Sequence, residues 1–240
     1  MSVKLESSDK KIVLVDQNVI KQMVTIQTML DNLSICENNN DEPIPIYAVK
    51  GEILYKVIEW IKFHFETTTM SESKDWEDRF FKTNLEKIFK IEEAADYLEV
   101  NNLMLNGQVF IDKHYEMITA TEAFKNLSRE KLRLLFSRDG LNVSNEQTVV
   151  QSLQTWISAD PEERSKCLEY LMPYIRASFL PSQFIENLSN FFAQYSQPLC
   201  QQLNFEKKTP RQGYDLCIVA VLRRGEERCL EYLDTKVSCN

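Results

Sequence analysis

The stretch Leu127–Arg176, LSREKLRLLFSRDGLNVSNEQTVVQSLQTWISADPEERSKCLEYLMPYIR, shows helices with clear punctuation. Ser128 is placed to cap a helix carrying Leu132, Leu135 and Phe136, and Asp139-Gly140 stops it. Ser144-Asn145-Glu146-Gln147 fits a capping box ahead of Val149, Val150, Leu153, Trp156 and Ile157. Asp160-Pro161-Glu162-Glu163 supplies a cap, a first-turn proline and an acidic third position before Leu168, Leu171, Met172 and Ile175. After Pro181 a further helix buries Phe184, Ile185, Leu188 and Phe192. Short loops between amphipathic helices predict an antiparallel bundle or solenoid.

Outward to the N-terminus the pattern is mixed. Val3–Leu5 and Ile12–Val15 are β-prone runs around the turn-forming Ser7-Ser8-Asp9-Lys10. Asp16 then caps a helix in which Val19, Ile20, Met23, Ile26, Leu30 and Leu33 keep helical spacing. Residues 37–42 read as a polar loop, and Pro43-Ile44-Pro45-Ile46 as extended chain. A second helix over Gly51–Phe65 places Ile53, Leu54, Val57, Ile58, Ile61 and Phe65 on one face. Glu66–Lys74 reads as a mobile loop. Further helices carry Leu85, Ile88, Phe89, Ala95 and Leu98, and then Leu103–Ile111. Beyond Lys207-Lys208, Leu216–Leu222 and Cys229–Leu233 flank a turn at 223–226, which predicts one β-hairpin. The fold class is therefore α+β, followed by an all-α domain and a short C-terminal hairpin.

Composition narrows the function. The 240 residues are 43% hydrophobic and 27% charged, with five glycines and seven prolines, as in a helix-rich globular protein. The formal charge of −8 belongs to the first half, with 12 basic against 20 acidic residues up to Asp112 and 16 of each afterwards. That balance repels nucleic acid phosphate. No run reaches the ~18 apolar residues of a membrane span, and the charged N-terminus is unlike a signal peptide. Cys36, Cys167, Cys200, Cys217, Cys229 and Cys239 form no Cys-x-x-Cys pair, which points to reduced thiols, a cytoplasmic or nuclear location and no metal site.

A catalytic constellation is not apparent, and no cofactor is expected. His64, between Phe63 and Phe65, and His114 read as partly buried or surface histidines. The five glycines make no phosphate-binding loop. Trp60, Trp76 and Trp156 read as packing residues, with Trp76 alone placed to act as an interface anchor.

Residues from Met1 to about Phe110 resemble the S-phase-kinase-associated adaptor family, a BTB/POZ fold. The resemblance is carried by VKLESSD (Val3–Asp9), KQMVTIQTMLDNL (Lys21–Leu33), EPIPI (Glu42–Ile46), VIEWIKFH (Val57–His64), DWEDRFFK (Asp75–Lys82) and AADYLEVNNLM (Ala94–Met104). The family's C-terminal F-box-clasping helices do not follow. Leu127–Arg176 instead resembles the BACK domain of Kelch-like proteins, and Thr209-Pro210-Arg211 through Leu233 resembles the opening strands of a Kelch blade, with Leu222-Arg223 where the paired glycine usually stands. The expected domains are 1–110, 111–195 and 209–240.

The resemblance implies an adaptor that docks a cullin scaffold protein and recruits substrates for ubiquitination, with the chemistry supplied by its partners. Carried over by position, the cullin-binding residues are Thr28, Met29, Asp31, Asn32, Asp96 and Tyr97. Asp96 stands where the family has asparagine, which adds a charge. The start of BACK, about Asp112–Phe136, extends the contact by analogy. The alternative is a regulatory decoy or assembly protein that holds a cullin or Kelch-like partner without delivering substrate. With the first strand beginning at Val3, the chain is expected to be a monomer or weak dimer.

Overall fold

The computed structural model describes residues 2–33, 42–66, 70–193, 209–212, 216–218 and 232–234. The chain divides into two compact units, Met1–Ile111 and Asp112–Asn240.

In the first unit, β1 (Ser2–Ser7) and β2 (Ile12–Asp16) pair antiparallel, with Val3 opposite Val15 and Leu5 opposite Val13. Leu5, Val13 and Val15 are buried while Ile12 and Leu14 face outward, the period-two burial of a sheet with one covered face. Helix α1 (Gln17–Ile20) begins at Asp16, whose carboxylate accepts the Asn18 N–H at 2.8 Å. The single helix expected from there to Leu33 is in fact two, because α2 starts afresh at Val24 and runs to Leu33. Between them the N–H groups of Gln22 and Met23 bond carbonyls three residues back. Such a tight turn advances in steps of three, so Ile20, Met23 and Ile26 all remain buried and the apolar spacing does not register the break.

β3 (Ile44–Ile46) pairs parallel with β1, giving the order β2-β1-β3. Pro45 thus sits on an edge strand, where a missing N–H is tolerated. Helix α3 (Gly51–Glu66) buries Ile53, Leu54, Val57, Ile58, Trp60 and Ile61. The loop expected over Glu66–Lys74 is shorter than predicted, since α4 spans Met70–Thr83. Tertiary contact overrides the weak local propensity there: Trp76 stacks on Phe63 at 3.9 Å and on Phe80 at 5.1 Å. A 3-10 turn over Leu85–Lys87 leads into α5 (Ile88–Tyr97), and α6 (Asn101–Lys113) follows.

The entry to α3 is held from the β1–β2 turn. Asp9 accepts the Gly51 N–H and the Ser7 hydroxyl, each at 2.7 Å, and pairs with Lys11 at 3.0 Å. The Gly51 amide, then Ser7 and Lys11, hold the Asp9 carboxyl well below the usual carboxylate range. A Cβ on Gly51 would lie 2.8 Å from Lys11 Cδ, so a side chain there would push Lys11 from its place beside Asp9.

The second unit is helical. Its elements are α7 (Tyr115–Thr119), α8 (Glu122–Lys125), α9 (Arg129–Ser137), α10 (Glu146–Ser158), α11 (Pro161–Arg164), α12 (Leu168–Leu171) and α13 (Ser182–Ala193). Ser128 caps α9 through the Lys131 N–H, and Asp160 caps α11 through the Glu163 N–H. The helix expected beyond Asp160 is divided by 3-10 turns at Ser165–Cys167 and Met172–Tyr174, the second containing Pro173. The capping box at 144–147 is also corrected. Asn145, not Ser144, caps α10, its side chain accepting the Thr148 N–H at 3.1 Å, while Ser144 turns to Glu116. Trp156 packs as expected, buried, with its indole N–H on the Leu127 carbonyl at 2.8 Å.

The C-terminal hairpin pairs β4 (Leu216–Ile218) with β5 (Tyr232–Asp234), Cys217 opposite Leu233. The remainder of the expected strands, their turn at 223–226 and the polar residues 37–41 lie outside the described residues.

Among the described acidic residues Glu146 is the exception, fully buried and ion-paired with the equally buried Arg211 at 2.9 Å. Removing one partner of such a pair strands the other, so Glu146→Ala is expected to cost ~3–5 kcal/mol in denaturant unfolding. Asp9→Asn tests the first unit through pH. Because the folded Asp9 pKa is depressed, its contribution is fully present above the ordinary carboxylate pKa and is lost as pH falls toward the folded value. The melting-temperature advantage of the parent over Asp9→Asn should therefore shrink as the pH is lowered from 7 to 2. A constant offset would refute that linkage.

Candidate docking surface on the first unit

The six positions carried over from the resemblance fall on α2 and the end of α5. Thr28, Asp31, Asn32 and Asp96 are exposed, and Met29 and Tyr97 are half-buried. Tyr97 is thus not a core residue. Within α2, the Thr28 hydroxyl donates to the Val24 carbonyl at 2.9 Å and Asp31 accepts from the Gln27 amide at 2.8 Å. Met29 and Tyr97 offer apolar area beside the carboxylates of Asp31 and Asp96. A contact of this kind suits a partner with basic or amide groups around an apolar anchor point.

What joins these two helices was not read from the sequence. Thr25, in the first turn of α2, directs its hydroxyl at the Tyr97 carbonyl at 2.9 Å and at Glu99 Oε1 at 3.0 Å. One hydroxyl proton serves both acceptors, so the bond is shared. Beyond α5 the Val100 N–H reaches back to the Ala95 carbonyl at 2.8 Å and the Glu99 N–H to Asp96 at 3.1 Å. This is the Schellman arrangement, whose left-handed position usually holds glycine. Here Glu99 occupies it with φ 54°. A side chain at that backbone angle costs ~1–2 kcal/mol. Glycine would avoid the strain but would carry no carboxylate for Thr25. Strain kept at a helix end beside an exposed surface is the pattern found at functional positions. No sequence signal marked Glu99, because the residue that announces a left-handed cap is the one it replaces.

The residues considered for catalysis are accounted for differently. His64 places Nδ1 2.9 Å from the Trp60 carbonyl and Nε2 2.8 Å from Glu77 Oε1. Ser73 donates to the same Glu77 oxygen at 2.8 Å and lies 3.5 Å from Nε2. A Ser–His–acid relay needs hydroxyl and carboxylate on opposite ring nitrogens. Here both crowd Nε2, so the group is a tether between α3 and α4, not an activated nucleophile. Trp76 is half-buried and stacks on Phe63 and Phe80. His114 is half-buried just before α7. Among the described residues, no group of three or more His, Cys, Asp or Glu side chains is arranged to hold a metal ion, and no helix is long and apolar enough to cross a membrane.

Two substitutions test the tie. Thr25→Val deletes the shared bond while keeping shape, and is expected to lower unfolding free energy by ~1 kcal/mol. Glu99→Gly relieves the left-handed strain while losing one acceptor, so the two effects should cancel to within ~1 kcal/mol. Denaturant titration of both variants checks the ordering. A larger loss for Glu99→Gly than for Thr25→Val would mean that Glu99 does more than receive Thr25.

Two family models match the chain, and the second begins inside the first unit. Residues 1–66 match the model described as Skp1 family, tetramerisation domain, and residues 88–190 match BACK, BTB And C-terminal Kelch. A Skp1-related protein of Caenorhabditis elegans is 29% identical over 167 residues, covering 64% of this chain and 90% of that protein. Kelch-like protein 28 of Mus musculus is 34% identical over 98 residues, which is 41% of this chain and 17% of that protein. Kelch-like protein 5 of Homo sapiens is 31% identical over 116 residues, 48% of this chain and 15% of that protein. The matches thus span nearly all of the Skp1-related protein and less than a fifth of each Kelch-like one. A strand-and-helix N-terminal unit, a helical second unit and these matches together make the chain a POZ domain joined to a BACK domain, an architecture of the Kelch-like type.

Proposed function

We propose that this chain is a non-catalytic adaptor of a cullin–RING ubiquitin ligase. The cullin scaffold docks on α2 and the end of α5, through Thr28, Met29, Asp31, Asn32, Asp96 and Tyr97, and the beginning of the BACK domain, about Asp112–Phe136, lengthens the contact. Ubiquitin transfer belongs to the partners, and the adaptor's task is to bring a substrate to the scaffold.

The observation that carries this reading is the Thr25 bond to Tyr97 and Glu99. It fixes the end of α5 against the start of α2, so that residues far apart in sequence are presented by a preorganised pair of helices. Preorganisation reduces the ordering cost of association. Half-buried Met29 and Tyr97 serve as anchors, and a tyrosine couples large contact area to one polar tip. Asp96 favours a scaffold with a basic or donor-rich side chain opposite it. The Skp1-like POZ match suggests the cullin of F-box ligases and the BACK match the cullin of BTB–Kelch ligases. We favour the latter, since a BACK domain stands where the F-box clasp would follow. The adaptor acts as a monomer or weak dimer.

Calorimetry of the full chain against the N-terminal domain of each cullin tests the proposal. Binding to one domain is expected, weakened at least tenfold by Tyr97→Lys and by Met29→Glu in chains whose melting temperatures are unchanged. Absence of binding to both domains would overturn the adaptor role.

A further inference from the structure

Arg211 reaches the second unit from a site 65 residues beyond its main partner, Glu146. Its guanidinium is wholly enclosed, and each of its five N–H bonds has an acceptor. Nε donates to Glu146 Oε2 at 2.9 Å, and Nη2 to Glu146 Oε1 at 3.1 Å and the Tyr174 carbonyl at 3.0 Å. Nη1 donates to the carbonyls of Phe136 at 2.8 Å and Arg138 at 2.7 Å. The receiving groups therefore come from the end of α9, the start of α10 and the 3-10 turn containing Pro173. Glu146 Oε1 also takes the Arg176 N–H at 2.9 Å, which fixes the carboxylate from a second side.

The neighbours of Arg211 are held through their main chain. The Gln212 N–H donates to the Asp139 carbonyl at 3.1 Å, and the Gln212 carbonyl accepts the Val143 N–H at 3.0 Å. The Thr209 carbonyl accepts Arg176 Nη1 at 3.0 Å. Between them Pro210 restricts the backbone and removes a donor that would need satisfying. A Cβ on Gly140, in the facing loop, would lie 2.9 Å from Asp112 Oδ2 and displace that carboxylate. Carboxylate, three convergent carbonyls and a pair of flanking main-chain bonds make a site for one peptide class. Lysine, with three donors and no planar fork, does not satisfy it.

We propose that the BACK domain contains an arginine-peptide socket centred on Glu146, occupied in cis by Thr209–Gln212, and that this segment is a detachable strap rather than part of the hairpin. This goes beyond the cullin contact and does not depend on it. The strap closes the helical unit around the Glu146 carboxylate, which the Arg176 N–H holds from its second side, and a segment of the Thr-Pro-Arg type from another chain can take its place when the strap is withdrawn.

The test uses the full-length Arg211→Ala chain and the capped hexapeptide Lys-Thr-Pro-Arg-Gln-Gly, corresponding to residues 208–213. The variant should melt lower than the parent, and saturating peptide should recover at least half of the fall. The same peptide with lysine for arginine should bind at least tenfold more weakly. The parent chain, whose socket is filled, should also bind the arginine peptide at least tenfold more weakly than the variant. If Arg211→Ala does not fold, Arg211→Lys retains the charge and supports the same comparison. No recovery by the peptide, equal binding of the lysine peptide, or equal binding to the parent would each overturn the socket.

Discussion

A carboxylate taken out of water must be met by donors or not be charged, and in this chain that demand falls on Glu146. Two oxygens beneath the start of α10 are answered by a guanidinium and a backbone amide, and both answers come from later in the chain. The arrangement converts a local choice, an acidic residue in the first helical turn, into a condition on the whole second unit. Helices α9 and α10 and the turn at Met172–Tyr174 all contribute groups that Arg211 must reach at once. Such a pair contributes less to net stability than its geometry suggests, because both charges are desolvated.

The first unit uses the same logic at its surface. Asp9 in a hairpin turn receives the first amide of α3, and Glu99 at a helix end receives the hydroxyl of Thr25. In each case a polar side chain from one element satisfies or steadies a group on another that its own helix leaves open. Two strained backbone positions, Lys10 and Glu99, lie in or next to these ties. The docking surface we propose is a consequence: α2 and α5 expose their residues on a frame held by bonds between helices, not by burial of the exposed residues themselves.

Much of this was legible in the sequence. The alternation in Val3–Leu5 and Ile12–Val15, the caps Asp16, Ser128 and Asp160, and the apolar stripe of α3 as far as Ile61 are local signals with local causes, and each appears where it was read, whereas Phe65 at the end of that stripe is exposed. The failures share a different cause. The break before Val24 preserves apolar spacing, the helix through Met70–Lys74 is secured by aromatic stacking, and Asn145 takes the capping place while the Ser144 hydroxyl bonds Glu116. Glu146 looked like an ordinary first-turn acid, since nothing nearby in sequence reveals that Arg211 will cover it. The candidate site was legible only through resemblance. The tie between its two helices depends on Thr25, Glu99 and a backbone carbonyl, and no spacing rule links residues 72 and 74 positions apart.

Hydrogen–deuterium exchange of the full chain, alone and with the N-terminal domain of the cullin it binds, tests the central claim most directly. The account predicts new protection concentrated in Val24–Leu33 and in the last turn of Ile88–Tyr97, with the outward face of β2 unchanged. Protection confined to β2 or to α13, with α2 and α5 exchanging as in the free chain, would contradict it.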